Sequence, residues 1–284
     1  MVKIITPVFI EKYVGGETAP ALEEEHGGVF EDTQVTSYIA GIGARLVVSN
    51  ARRTDFPHTF KVLATKKIVN AFAIGNGNVY VTRGILSELQ DESELAYLLG
   101  HEIGHVDRRH IARQLDVMLG GYAILGIGQM LAYGATGKGE GDLTKGDVRQ
   151  ARNVMLGLIT SGYSRDMENE ADHDGVRAAA VAGFDPWGGV RVMRRFAAGE
   201  QDSGLDYFFR SHPYSSERVK AMSGQISASW GAEGVAAGAR NEGEFATYSD
   251  PERAAEARKD FWVKMGAGAA AAVGVGVLGY ALLK

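Results

Sequence analysis

The stretch His101-Glu102-Ile103-Gly104-His105 constrains this chain more than any other. Upstream of it Leu95, Leu98 and Leu99 recur at helical spacing, and Asp91 with Glu94 has the form of a capping box. The pattern predicts a helix from about Asp91 to about Gln114. On such a helix two histidines four apart lie on one face, about 40° out of line. Both rings can then reach a single metal ion, and Glu102 stands where it can take a proton from water bound there. This is the zincin arrangement, and it still lacks a third ligand.

A catalytic zinc keeps three protein ligands and one open position. Metzincins place a third histidine six residues beyond the second, after a glycine. Those positions hold Ile111 and Arg108. His110 is one residue off, and continuing the helix turns it away from the pair, so it reads as a surface histidine. The gluzincin alternative is a glutamate on a second helix with an aspartate one turn later. Glu168 and Asp172 have that spacing. Glu168 can bind the metal while Asp172 accepts the N–H of a ligand histidine and fixes its tautomer. Glu170 lies about 200° round the helix from Glu168 and cannot share its face. An acidic helix face is also commonly just solvated; the His pair on a preceding helix makes this one specific.

Three segments before the His pair, Thr59 to Ala64, Lys67 to Ile74 and Val79 to Thr82, are rich in Val, Ile, Phe and Tyr and read as strands. Gly75-Asn76-Gly77-Asn78 joins the last two as a tight turn, and the expectation is a small antiparallel meander. A free sheet edge can pair with an extended peptide whatever its side chains, and the candidate edge is Asn70, Ala71, Phe72 and Ala73. The plainer reading is an ordinary core hairpin.

Taken together, Ser164-Arg165 with Glu168, Ala171 and Asp172, the motif at 101–105, and Asn70 to Ala73 followed by Val79 to Leu86 resemble the HtpX-like and CAAX-prenyl-endopeptidase group of zinc metalloendopeptidases. The closer match is to its soluble or peripheral bacterial branch. The likeness runs from about Asp32 to about Ile226. It implies an α+β fold, a mostly helical gluzincin domain with a small sheet, one Zn2+ per chain, and endopeptidase activity on membrane or envelope proteins. His212-Pro213 followed by Arg218 also fits the group's pattern. His212 is read as a donor to the tetrahedral oxyanion, with a cap over the open metal position or a structural turn as alternatives.

The remaining sequence bounds the reading. Net charge is −5 with no basic stripe, so nucleic acid is not an expected partner. No cysteine is present, which excludes thiolate ligands and nucleophiles. The expected organisation is an irregular lead-in at 1–31, the peptidase domain at 32–226, a linker with a charged helix at 227–260, and a hydrophobic helix at 261–284. Leu119 to Tyr133 is expected to pack on the core or flank the cleft, and Ala135 to Gly146 to be a loose Gly- and Lys-rich connection. Nothing in Met1 to Tyr13 reads as a signal peptide. Met265 to Leu283 carries no charge, and as a helix would be about 28 Å long, marginal for a bilayer. Its many small residues leave it weakly hydrophobic, so membrane association competes with a buried or self-associating helix. The expected setting is the cell envelope, membrane-associated or periplasmic. The rival to a protease is a chaperone-like module that holds unfolded segments at the sheet edge. A binder has no need of Glu102, which favours catalysis.

Overall fold

A computed structural model describes residues 6, 8–50, 57–122, 145–198, 205–230, 241–242 and 245–246. The stretches 123–144 and 247–284 lie outside the described residues, and with them most of the glycine-rich run after Leu119 and all of the 265–283 segment. Among the described residues no helix is long and apolar enough to cross a membrane.

Helix α1 (Val8–Glu25) occupies the stretch where the sequence suggested irregular backbone. Its paired glycines and Pro20 weaken the local helix signal. What holds it is packing: Val14, Ala19 and Leu22 bury against Phe72, Tyr80 and the apolar face of a later helix. Helix α2 (Thr33–Asn50) follows, with apolar residues recurring at helical spacing. Asp32 caps it by accepting from the backbone N–H groups of Gln34 and Val35 at 3.0 and 3.2 Å, and Val35, Ile39, Ile42 and Leu46 form its buried face.

Strands β1 (Thr59–Leu63), β2 (Ala71–Ala73) and β3 (Asn78–Thr82) form one sheet of order β1-β3-β2. The hairpin of β2 and β3 is antiparallel, as its turn requires, but β1 pairs parallel with the far side of β3. The sheet is therefore mixed rather than an antiparallel meander. A turn motif fixes the hairpin, but nothing local says which flank of β3 receives β1. The difference matters, because a meander would have put β2 in the centre. The observed order leaves β2 at the edge.

Helices α3 (Arg83–Glu88) and α4 (Glu92–Asp107) follow. Asp91 caps α4 through the Glu94 N–H at 2.9 Å, and the Glu94 carboxylate accepts from the Gln90 N–H at 2.9 Å. The helix ends at Asp107 rather than near Gln114, because Arg109 adopts φ 56°, a left-handed conformation. Helix α5 (His110–Tyr122) then leaves in a new direction. Helices α6 (Lys145–Ser161), α7 (Arg165–Val181), α8 (Gly188–Ala198), α9 (Asp206–Ser211) and α10 (Ser216–Trp230) complete the described elements.

Among the described residues the most extensive helix contact is α4 against α7. A Cβ added at Gly100 would stand 3.1 Å from the Gly175 Cα, and one added at Gly175 would stand 3.0 Å from the His101 N and the Tyr97 O. Gly104 meets Ala171 and Asp174 just as closely. The glycine inside the His-Glu-Ile-Gly-His stretch thus lets the two backbones approach, which brings an acidic helix face onto the histidines.

Candidate metal centre and active site

His101, His105, Glu168 and His212 each turn one ligand atom into a buried cluster in which these atoms lie within 4.8 Å of one another. Helix α4 supplies the first two. Helix α7, started by Ser164, whose side chain accepts from the Met167 N–H, supplies Glu168 in its first turn. His212 caps the end of α9. His101 Nε2 and His105 Nε2 are 2.9 Å apart, and the Glu168 oxygens stand 3.6 and 3.5 Å from them. Ligands about 2.0–2.1 Å from a tetrahedral ion of zinc's size are about 3.3 Å apart, so the spacing suits one ion.

The surrounding hydrogen bonds decide which nitrogens are bare. Glu170 Oε2 accepts from His110 Nε2–H at 3.0 Å, which leaves His110 Nδ1 to accept from His105 Nδ1–H at 2.7 Å. His105 Nε2 then carries only a lone pair. His101 Nδ1 lies 3.0 Å from Asp172 Oδ1, though off the line of a hydrogen bond, and the carboxylate favours the proton on that nitrogen. Two bare Nε2 lone pairs facing each other at 2.9 Å repel unless a cation lies between them. Glu168 Oε2 faces the same space and is already paired with Arg218 Nη1 at 2.7 Å, so the facing imidazole nitrogens are what call for a cation. The donor set therefore fits a divalent metal.

Burial and charge set the protonation states. Burial lowers the His105 pKa well below its ordinary value, with the nearby imidazoles adding to this. Burial pushes His110 down to about 4, which keeps it neutral and able to accept. Burial opposes ionisation of Asp172, but the Arg218 guanidinium outweighs it and holds the carboxyl far below its usual range. Arg218 donates from Nε and Nη2 to Asp172 at 2.7 and 2.6 Å, and Tyr97 donates to the same carboxylate at 2.7 Å. For Glu168 the same contest against burial is won by His212 and Arg218, and its pKa is lowered.

Glu102 is buried, and neither of its oxygens makes a hydrogen bond. Burial raises its pKa, partly offset by His212 and His101. A cation at the cluster would draw it back down. His212 Nδ1 is 3.2 Å from both His101 Nε2 and Glu168 Oε1, and its Nε2 is 3.4 Å from Glu102 Oε1 and 3.3 Å from the Ala71 carbonyl. Burial would lower the His212 pKa, but Glu168 and Glu102 outweigh it and raise it to about 9.

Of the candidate edge residues, Ala71 and Ala73 are the ones whose backbone faces the cluster. Asn70 and Ile74 bond to Thr82 and Asn78 across the hairpin, at 3.0 and 2.9 Å, so the alternate residues 71 and 73 turn their polar groups to the free edge. The Ala71 carbonyl meets His212, and the Ala73 N–H is turned to Glu102. Asn70 and Phe72 point elsewhere.

His110 is not a surface residue: it is wholly buried and supports His105 from behind. The helical projection failed because α4 stops at Asp107 and Arg109 redirects the chain. The unassigned Glu170 was the one hint in the sequence, since a carboxylate facing away from the metal needs its own partner. Tyr163, stacked on His105 at 3.9 Å, carried no signal at all.

A helical domain with a small sheet and a buried His-His-Glu donor set beside a carboxylate defines a metallopeptidase centre. Residues 34–226 match the model of Peptidase family M48, and the chain belongs to that family. It is 32% identical to the metalloprotease YcaL of Escherichia coli (strain K12) over 198 residues, 68% of this chain and 73% of that protein. It is 32% identical to the beta-barrel assembly-enhancing protease of the same organism over 162 residues, 56% of this chain. It is 28% identical to the mitochondrial metalloendopeptidase OMA1 of Arabidopsis thaliana over 187 residues, 66% of this chain. The chain spans about a third of the length of the last two, 32% in each case.

Proposed function

We propose that this protein is a zinc endopeptidase in which His101, His105 and Glu168 hold the ion and Glu102 is the general base. The observation that carries the reading is the pair of bare imidazole nitrogens, 2.9 Å apart, closed by a buried glutamate. Two imidazoles and a carboxylate suit zinc. When bound, zinc polarises a carbonyl and lowers the pKa of water towards neutrality. Everything else falls to the chain. An extended peptide pairs with the Ala71 carbonyl and the Ala73 N–H at the edge of β2. Glu102 takes the proton of the attacking water and passes it to the leaving amine. Asp172 and the His110–Glu170 pair hold the two ligand histidines in the required tautomers. Casein digestion is the test: a chelator should stop it, and chelator-insensitive cleavage would refute the reading. Absence of chelator-sensitive cleavage in protein shown to contain zinc would favour the rival holding module.

His212 is assigned the developing oxyanion. It stands now where a substrate carbonyl would sit, so it must swing aside while staying within reach. Replacing it by alanine should lower kcat by tens-fold or more, against about 10²–10³-fold for loss of one oxyanion donor. A second reading is favoured by the 3.2 Å approach of its Nδ1 to both His101 and Glu168. There His212 caps the fourth corner and holds the enzyme closed, and the same substitution raises basal cleavage. The direction of the change decides.

The relatives named for β-barrel assembly support a role in quality control of envelope proteins, with Met265 to Leu283 holding the chain at a membrane. Sedimentation of the full chain with membranes, lost on deletion from Phe261 onwards, is the expected result; a chain that stays in the supernatant contradicts it.

A further inference from the structure

A cavity of about 290 Å³ is enclosed by α1, the segment leading into β2, α6 and α9. Much of its lining is polar, and the hydrogen-bond donors and acceptors stand on different elements.

The acceptors come from the end of α1. Glu25 closes that helix and is exposed at the mouth of the cavity. His26 follows it, and His26 Nδ1 donates to the Leu22 carbonyl at 2.8 Å, which leaves Nε2 as an acceptor. The last turn of α1 holds no basic side chain, so the negative end of the helix dipole adds to the pull on a cation. The donors come from α9 and the lead-in to β2. Arg210 is exposed at the mouth, its guanidinium 5.3 Å from the centre of the Tyr207 ring, which lines the cavity too. Ser211 Oγ donates to Asn70 Oδ1 at 3.2 Å, and among the described residues the Asn70 NH2 group meets no acceptor. Asn70 is only 8% exposed, so those N–H groups depend on an occupant of the cavity. Neither Glu25 nor Arg210 has an ion-pair partner among the described residues. Leu22, Phe72 and Ile159, all buried, supply the apolar surface. An anion alone would meet Glu25, and a cation alone would meet Arg210. A molecule carrying both charges satisfies both.

We propose that this cavity binds a small zwitterion, a free α-amino acid with an uncharged side chain. Its carboxylate pairs with Arg210 and the Asn70 NH2 group, and its ammonium with Glu25 and His26 Nε2. The volume lies at the lower end for small-molecule sites, which suits one amino acid rather than a peptide. Asn70 and Ser211 directly precede Ala71 and His212, so the occupant touches the neighbours of two groups at the metal cluster. Free amino acids are the end products of complete proteolysis, and the site is placed to sense them. Binding needs no turnover, so it is tested apart from the peptidase reading.

Zinc-loaded full-length protein is titrated with L-leucine, N-acetyl-L-leucine and L-leucinamide by calorimetry and thermal melts. Leucine should bind with a Kd of about 1 mM or tighter, a range open to a ligand of so few atoms. Each blocked analogue lacks one charge and should bind at least about ten-fold more weakly. Glu25→Gln combined with Arg210→Gln should weaken leucine by about ten-fold or more. Glu24→Gln combined with Arg194→Gln removes the same charges from exposed positions outside the cavity, and should change leucine binding by less than about two-fold. Circular dichroism checks that both double variants are folded. Leucine that binds the folded Glu25→Gln, Arg210→Gln protein as it binds wild type sits at the metal or elsewhere, and overturns the proposal. Equal affinity for leucine and either blocked analogue does the same, as does the absence of both heat and a melting shift up to about 10 mM leucine. Failure of the peptidase reading leaves these titrations unchanged and shows only as silent cleavage.

Discussion

Replacing Glu102 by glutamine should reduce peptide cleavage by about 10²–10⁴-fold, the contribution of a positioned general base, while leaving the metal content and the melting temperature close to wild type. The side chain is buried, and its close polar neighbours are His212 Nε2 at 3.4 Å and the Ala73 N–H, both of which an amide oxygen of the same shape can still face. It also supplies no ligand atom to the His-His-Glu cluster, so the ion should remain. What the amide cannot do is accept the proton of the attacking water. Burial makes the carboxylate a stronger base than an exposed glutamate, and its pKa is raised although His212, His101 and the Ala73 N–H offset part of the effect. Metal content by mass spectrometry and turnover on casein check the two halves. Cleavage at the wild-type rate with metal bound would remove Glu102 from the chemistry.

Asp172→Ala should be the most damaging change that touches neither the metal nor the substrate. Its carboxylate accepts two hydrogen bonds from Arg218 and one from Tyr97, and it faces His101 Nδ1. All of these groups are buried. Removing one partner of a buried ion pair costs about 3–5 kcal/mol, because the remaining charge keeps its desolvation penalty. At about 2–4 °C per kcal/mol for a domain of this size, the melting temperature should fall by roughly 6–20 °C. The loss of an orienting carboxylate behind a ligand histidine should also weaken metal binding by about 10–100-fold. Thermal melts with and without excess zinc separate the effects, since ligand binding restores stability by mass action. A variant with unchanged melting temperature and zinc affinity would contradict the role given to Asp172.

Much of the site was legible because it depends on local spacing. The His101–His105 and Glu168–Asp172 pairs are each one helical turn, and both helices formed with their caps at Asp91 and Ser164. The conserved geometry of a helix carries a face from sequence to structure without any knowledge of the fold. The parts that stayed hidden depend on where an element stops or which neighbour it chooses. His110 joins the centre because Arg109 takes a left-handed conformation, which a residue other than glycine or asparagine seldom signals. Arg218 stood in the sequence without a partner, and only the packing of α10 on α7 brings it to Asp172. Helix α1 was obscured by Gly15, Gly16 and Pro20, and is retained by contacts such as the Arg109–Glu11 ion pair at 2.9 Å. The sheet order came from tertiary packing alone, and it is what leaves β2 at the edge of the sheet.

Every role proposed for these residues depends on one metal ion at the His-His-Glu cluster. The most direct measurement strips the full-length protein with a chelator, titrates zinc back, and follows bound metal and casein cleavage in the same samples. Cleavage should be absent at the start, rise in proportion to bound zinc and level off at one ion per chain, and Glu168→Ala protein should not recover over that range. Cleavage by protein holding no measurable metal, or equal recovery in the Glu168→Ala variant, would contradict it.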